Sequence, residues 1–91
     1  MRASEEIIQR REALRFKINV TNQDAERELL RQKVFVLDEI LGVFDSGEIK
    51  TRTEIFTKYQ ILQTHEDNIL TDEYELIKHK ALLETYKWVL S

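Results

Sequence analysis

The chain has 91 residues, enough for one domain with a single core. An apolar content of 42% and a charged content of 34% are typical of a water-soluble globular or coiled-coil protein and exclude a disordered chain. The net charge of −3 removes the bulk attraction that draws basic proteins to nucleic acid, and the absence of cysteine excludes disulfides, thiolate nucleophiles and thiolate metal sites.

Turn-forming residues are scarce, since the chain has no proline and only two glycines, Gly42 and Gly47. Sheet proteins need many turns, so this scarcity predicts a few long elements, which are helices. No stretch approaches the roughly 20 apolar residues of a membrane span, and the first residues lack the positive-then-apolar layout of a secretion signal. We therefore expect a complete, cytoplasmic, all-α protein without membrane association.

The first helix is predicted over residues 4–19. Ser4 provides a capping hydroxyl at its start. Ile7, Leu14 and Ile18 form a narrow apolar seam along it. The segment from Leu14 to Val20 also alternates apolar and polar residues, which is the pattern of a half-buried strand. Because no partner strand is evident elsewhere, helix is the better interpretation, with the strand as its alternative.

The second helix, predicted over residues 22–44, is expected to be the central one. Thr21 and Asp24 resemble a loose capping box at its start, and Gly47 is expected to close its end. Two adjacent apolar seams run along this helix and indicate contact with two neighbouring helices. One seam consists of Leu30, Val34, Leu37, Leu41 and Phe44, and the other of Leu29, Lys33, Val36, Ile40 and Val43, where Lys33 is the polar interruption.

Two further helices are predicted over residues 52–65 and 72–90. Thr51 and Glu54 form a capping box for the third helix, and the polar run at 64–68 is expected to end it. Thr71, followed by two acidic residues, restarts the chain as the fourth helix. The main seam of the fourth helix consists of Leu76, His79, Leu83, Tyr86 and Leu90, while Tyr74, Ile77, Ala81 and Trp88 lie on a different side.

These elements predict a four-helix bundle in one domain, residues 1–91, built from two antiparallel helical hairpins. The second and fourth helices both have two apolar sides, which is more apolar surface than one small bundle easily buries. We therefore predict a homodimer, or a protomer that packs on another protein. The candidate contact residues are Phe35, Tyr74, Ile77 and Trp88. A place in the core is the simpler interpretation of Trp88, whereas Phe35 is expected to be exposed.

Residues suited to catalysis or metal binding are few. Glu75 precedes His79 by four residues, a spacing found among helical metal ligands, but no second pair accompanies it and His65 stands apart. A bundle of this size has little room for a substrate pocket of about 300 Å³. The sequence therefore predicts no enzyme, no catalytic residue, no metal and no cofactor, with His79 as a core histidine.

Basic residues near the start of the chain are the main argument for nucleic-acid binding. Residues 1–33 have eight basic and six acidic side chains, whereas residues 34–91 have six and eleven. On a helical wheel, however, Arg10 falls on one side of the first seam, while Arg11 and Arg15 fall on the other. Long basic side chains that flank a seam are typical of the covering of an apolar interface.

A DNA-binding alternative comes from the middle of the chain. The segment from Leu37 to Phe44, the turn at Gly47 and the run from Thr51 to Phe56 resemble the opening of a helix-turn-helix or winged-helix domain. The resemblance implies a DNA-binding regulator in which Arg52 and Lys58 join the N-terminal arginines. The next helix begins with acidic residues, which would oppose the phosphate backbone, and the gap before it is longer than the usual turn.

Two segments, Glu26 to Arg31 and Tyr86 to Leu90, are similar to those of small helical proteins encoded by phages and prophages. This resemblance implies an accessory protein that binds or inhibits a partner protein. Together with the apolar faces, it favours a protein–protein interaction module as the function. The DNA-binding regulator is the alternative, and its binding would weaken as salt rises.

Overall fold

The computed structural model describes residues 1–65 and 72–91, and within these ranges the chain forms four helices and no strand. The helices are α1 (Ser4–Val20), α2 (Asp24–Ile40), α3 (Arg52–Thr64) and α4 (Glu73–Leu90). The all-α prediction with four helices is confirmed. The ambiguous segment that ends at Val20 lies entirely within α1, so helix is the correct interpretation there.

The helices pack in the order α1, α2, α4, α3, with each one contacting the next. The two sides of α2 therefore have different neighbours, α1 and α4, and the two sides of α4 contact α2 and α3. Leu37 and Ile40, from the two seams of α2, are both almost completely buried. The contacts on both sides of α2 and of α4 are thus made largely within one chain, although Tyr74 and Ile77 on α4 are left exposed.

The core is a single cluster to which all four helices contribute. Each fully buried aliphatic side chain in such a cluster stabilises the fold by about 1.5–3 kcal/mol. Its buried members are Ile7, Leu14, Leu30, Val36, Leu37, Ile40, Ile55, Tyr86 and Val89. The members from α4 all lie in its second half, so the core sits where that half meets α2, the start of α3 and α1.

The end of α2 differs from its predicted position. The helix stops at Ile40, four residues before the expected boundary, because Gly42 adopts a left-handed conformation with φ of 78°. The Gly42 N–H donates to the carbonyl of Glu39 at 3.0 Å, and the Val43 N–H donates to that of Asp38 at 3.0 Å. These two bonds form a Schellman motif, which ends the helix before Gly47 is reached.

The predicted helix start is confirmed for α3 and differs for α1 and α2, while the residue predicted to start α4 lies outside the described residues. In α3 the predicted capping box is present, since the Thr51 hydroxyl accepts from the Glu54 N–H at 3.2 Å. In α4 the Asp72 carboxylate caps the helix, while Thr71 and residues 66–68 of the polar run lie outside the described residues. The α1 cap is Ala3 instead of Ser4, and its backbone N–H donates to the Glu6 carboxylate at 3.5 Å.

The predicted pairing of Thr21 with Asp24 does not form. The cap of α2 is Gln23, without a side-chain hydrogen bond. Thr21 instead donates its hydroxyl to the Lys17 carbonyl at 2.5 Å, and its own carbonyl accepts from Arg27 at 2.7 Å. Because the hydroxyl serves the end of α1, Thr21 closes the first helix and does not open the second.

The two ends of the chain lie side by side. The Arg2 N–H donates to the Val89 carbonyl at 2.7 Å, and the Arg2 guanidinium donates to the Trp88 carbonyl at 3.3 Å. These bonds hold the residues before α1 against the last turn of α4. None of the helices in the described residues has the length and apolar character needed to cross a membrane.

Candidate functional site

Two phenylalanines form a bare aromatic pair at the end of α2. The rings of Phe35 and Phe44 have centroids 5.1 Å apart and planes inclined by 31°. Phe35 is 52% exposed and Phe44 is 58% exposed, so neither ring is covered by the rest of the chain. The predicted exposure of Phe35 is confirmed, and Phe44, which was expected in a helical seam, lies in the connection after the helix.

The connection that carries Phe44 is held in one conformation by its own hydrogen bonds. The Gly47 N–H donates to the Gly42 carbonyl at 2.8 Å, and the Lys50 N–H donates to the Ile40 carbonyl at 2.7 Å. The Lys50 ammonium also pairs with the Asp45 carboxylate. This bond lowers the pKa of Asp45 and raises the pKa of Lys50. Phe44 therefore stands on an ordered loop rather than on a free tail.

An apolar groove lies beside this loop. Its volume is about 370 Å³, and its apolar lining comes from Ile8, Leu41, Val43 and Ile49. Ile8 on α1 is 40% exposed, Val43 is 55% exposed and Ile49 is 38% exposed. We use the name loop patch for the three exposed groove residues together with the aromatic pair, that is Ile8, Phe35, Val43, Phe44 and Ile49. Exposed apolar residues of this kind are typical of binding surfaces in soluble proteins.

A charged network fixes α1 against α2 close to the loop patch. Asp38, three residues after Phe35, is 8% exposed. It accepts from Arg11 at 3.0 Å and from Arg15 at 3.5 Å. Arg11 also lines the groove, so this pairing holds one wall of the groove in place. A largely buried carboxylate needs such partners, because leaving it unpaired would cost several kcal/mol.

Trp88 is partly buried against the core, in agreement with the simpler interpretation of that residue. The guanidinium carbons of Arg2 and Arg10 lie 5.0 and 4.4 Å from the centroid of its ring. Both distances are within the range of cation–π attraction. Trp88 also borders a pocket of about 200 Å³ between α1, α2 and α4. The ring is therefore covered by charged side chains, unlike the phenylalanine pair.

The other predicted contact residues all belong to α4, whereas the loop patch is formed by α1, α2 and the connection after α2. Tyr74 is 39% exposed and Ile77 is 47% exposed, both in the first half of α4. Within the described ranges, the aromatic contact of Phe35 is with Phe44, and no aromatic contact joins it to Tyr74 or Trp88. The structure thus divides the four predicted residues among at least two regions of the surface.

Four of the five basic residues proposed for DNA contact have intramolecular partners. Arg10 lies over Trp88, and Arg11 and Arg15 pair with Asp38. Lys58 on α3 pairs with Glu39, while Arg52 is exposed at the first position of that helix. As predicted from the helical wheel, Arg10 and the other two arginines face different neighbours. Within residues 1–65 and 72–91, no contact joins these side chains into one basic stripe.

Metal-ligand residues do not cluster in the described part of the chain, where no group of three is close enough to hold an ion. His79 is 4% exposed, so it is a buried histidine, as its position in a seam predicted. Its Nε2 atom has no hydrogen-bond partner among the described residues.

The sequence did not identify Ile8, Val43, Phe44 and Ile49 as surface residues of one patch. The signal that points to Val43, Phe44 and Ile49 is Gly42, which lies just before the last members of both seams of the second helix. A glycine at that place permits the left-handed turn that brings the following residues back beside Phe35.

Comparison with known proteins found no relationship: no family model, characterised protein or solved structure matches the chain.

Proposed function

We propose that the protein is a non-enzymatic protein–protein interaction module that binds through the loop patch. We further propose that it uses this patch to form a homodimer. The observation that supports this proposal is the tilted pair of Phe35 and Phe44, in which both side chains are more than half exposed. Two large rings in mutual contact on an ordered surface would bury a large apolar area against a partner.

The order of the loop supports binding without a large entropic cost. A flexible loop would have to be immobilised on association, whereas this loop is already fixed by its backbone bonds from Gly42 to Gly47 and from Ile40 to Lys50. Preorganised apolar groups of this kind convert more of their buried area into affinity. The groove beside the rings provides a concave place for an apolar side chain of the partner.

A symmetric dimer uses the same patch twice. Across a two-fold axis, Phe44 of one protomer can enter the groove of the other while its own groove receives the equivalent ring. Both copies then bury their aromatic pair in a single closed interface. A groove lined by Ile8, Leu41 and Ile49 matches an aromatic ring in its apolar character.

The experiment is light scattering at low and high protein concentration and at two salt levels, on the wild type and on Phe44→Ser. We expect a wild-type mass near twice 10.9 kDa that changes little with salt, and a monomer for the variant. Phe16→Ser is the matched control, because Phe16 is 67% exposed on α1 and lies outside the loop patch. It should remain dimeric.

A wild-type monomer at every concentration would overturn the self-association. A dimer that persists in Phe44→Ser would place the interface elsewhere. The same samples can be titrated with duplex DNA, for which a regulator should show binding that weakens steeply as salt rises.

A further inference from the structure

A second surface, unrelated to the loop patch, surrounds the pocket beside Trp88. The pocket has a volume of about 200 Å³ and lies where α1, α2 and α4 meet. Its lining residues are Arg10, Leu14, Lys33, Glu84, Thr85 and Trp88. None of these residues belongs to the loop patch, so the inference that follows does not rest on the proposed function.

Lys33 is the residue that makes this pocket unusual. It occupies a position in the apolar seam of α2 where every other member is aliphatic, and it is half-buried. Lys33 lines the pocket beside Trp88, and unlike the aliphatic members of the seam it ends in an ammonium group. In the described part of the chain, Lys33 has no ion-pair partner.

Arg10 supplies a second positive charge from the opposite helix. Its guanidinium carbon lies 4.4 Å from the centroid of the Trp88 ring. Within the described residues no carboxylate forms an ion pair with Arg10. The planar fork of N–H groups on a guanidinium matches the two oxygens of a carboxylate.

The charged residues that line the pocket favour a singly charged anion. Two cations and one acid, Glu84, leave a single net positive charge on the lining. A singly charged carboxylate neutralises that charge, whereas a phosphate dianion would also face the Glu84 carboxylate. Leu14 and the Trp88 ring provide an apolar wall for the few carbon atoms that carry the carboxylate.

We infer that this pocket is a binding site for a carboxylate, held by Arg10 and Lys33 with its carbon chain against Trp88. The same chemistry can come from a small organic acid or from the carboxyl end of a peptide. A volume of about 200 Å³ accommodates either a short acid or one terminal residue.

Trp88 provides the measurement, because it is the only tryptophan in the chain. The whole protein is titrated with butyrate, with a short peptide ending in a free carboxylate, with the same peptide as its C-terminal amide, and with inorganic phosphate. We expect a saturable change in tryptophan fluorescence with butyrate or the free-acid peptide, and none with the amide. Phosphate should bind at least about tenfold more weakly than the better carboxylate, because of the charge at Glu84.

Two variants test the assignment of residues. Lys33→Gln removes the charge with a polar side chain only one atom shorter, and it should weaken carboxylate binding by about tenfold or more, since a charged hydrogen bond is lost. Lys17→Gln, an exposed change of the same type on α1, should bind like the wild type. Arg10→Gln should also weaken binding, but it alters the Trp88 signal directly, so its affinity is measured from amide chemical shifts in nuclear magnetic resonance.

Each outcome has a definite meaning. Saturation by butyrate alone supports a small organic acid as the ligand, and saturation by the free-acid peptide supports a chain end. The inference is overturned if neither acid produces a saturable change, if the amide binds as well as the acid, or if Lys33→Gln, folded by circular dichroism, binds with wild-type affinity.

Discussion

Trp88 and the pair of Phe35 and Phe44 are aromatic groups of similar size with opposite surroundings. Trp88 packs on the core and has two guanidinium groups within 5.0 Å of its ring centroid. The two phenylalanines contact each other and are more than half exposed. The first aromatic is shielded by the chain and the second pair is available to a partner.

The difference arises from the backbone near each ring and not from the residue type. Trp88 lies in the last turn of α4, where Arg2 is anchored by bonds to the neighbouring carbonyls and Arg10 reaches across from α1. Phe44 follows a glycine turn that carries it out of the helix and away from the core. Whether an exposed ring is a binding group therefore depends on which flexible side chains are within reach of it.

The largest expected effect comes from Gly42→Ala. A Cβ at this position would meet the backbone of Glu48, and the left-handed conformation is unfavourable for alanine. We expect the free energy of unfolding to fall by about 3 kcal/mol, measured by urea denaturation. The loop patch should be lost while the surroundings of Trp88 are retained, so that Trp88 fluorescence of the folded variant resembles the wild type.

Gly47→Ala is the matched control for that experiment. Its φ of 73° is similar, but nothing lies within 4 Å of a Cβ at this position. We expect a loss of only about 1 kcal/mol, the cost of the left-handed conformation alone. Equal losses in the two variants would mean that the approach of Glu48 does not matter.

A smaller difference in the free energy of unfolding is expected between substitution of Trp88 and substitution of Phe35. Trp88→Ala removes side-chain atoms packed on the core, so the free energy of unfolding should fall by about 2 kcal/mol, less than for a fully buried ring. Phe35→Ala should change the stability of the monomer by less than about 1 kcal/mol, because half of the side chain is already in water. Urea denaturation at a concentration where the protein is monomeric measures both. Similar losses of stability in the two variants would contradict the distinction between the shielded Trp88 and the exposed Phe35.

The smallest expected effect is a change in the pH dependence of stability caused by Tyr86, and it is confined to alkaline solution. Burial raises the pKa of the Tyr86 phenol above its ordinary value of 10.0. The folded chain therefore keeps a proton that the unfolded chain releases, so the stability from this group is complete below about pH 10 and is lost as pH rises toward the folded pKa. Tyr86→Phe should show a weaker loss of stability with pH than the wild type in urea denaturation.

Tyr74→Phe is the control for the alkaline experiment, because Tyr74 is 39% exposed and Tyr86 is 4% exposed. It should follow the wild-type dependence on pH. A Tyr86→Phe variant that also follows the wild type would show that Tyr86 ionises as readily in the folded chain as in the unfolded one.

Much of the fold could be predicted from the positions of apolar residues. The four helices, the long α1 and the two-sided nature of α2 all follow from side chains that recur every three or four positions. The capping box of Thr51 and Glu54 was also predictable, because it depends on residues adjacent along the chain. These features are local, so the sequence contains most of the information about them.

The end of α2 and the loop patch could not be predicted in the same way. The apolar spacing continues through Leu41 and Val43 to Phe44, so the pattern alone extends the helix across Gly42. The outcome depends on a contact between Gly42 and the backbone of Glu48, which the spacing of side chains does not report. Likewise, no sequence pattern showed that Arg10 would lie over Trp88, a residue at the other end of the chain.

The bond between Arg2 and Val89 has a practical consequence for anyone who adds sequence to the protein. Because the two termini are held together, peptides or fluorescent proteins fused to both ends would leave the molecule side by side, next to the pocket at Trp88. A short flexible linker between the ends would span the gap, and the resulting circular backbone would have fewer unfolded conformations than the linear one. The chain is thus suited to backbone cyclisation and to holding two cargoes in close proximity.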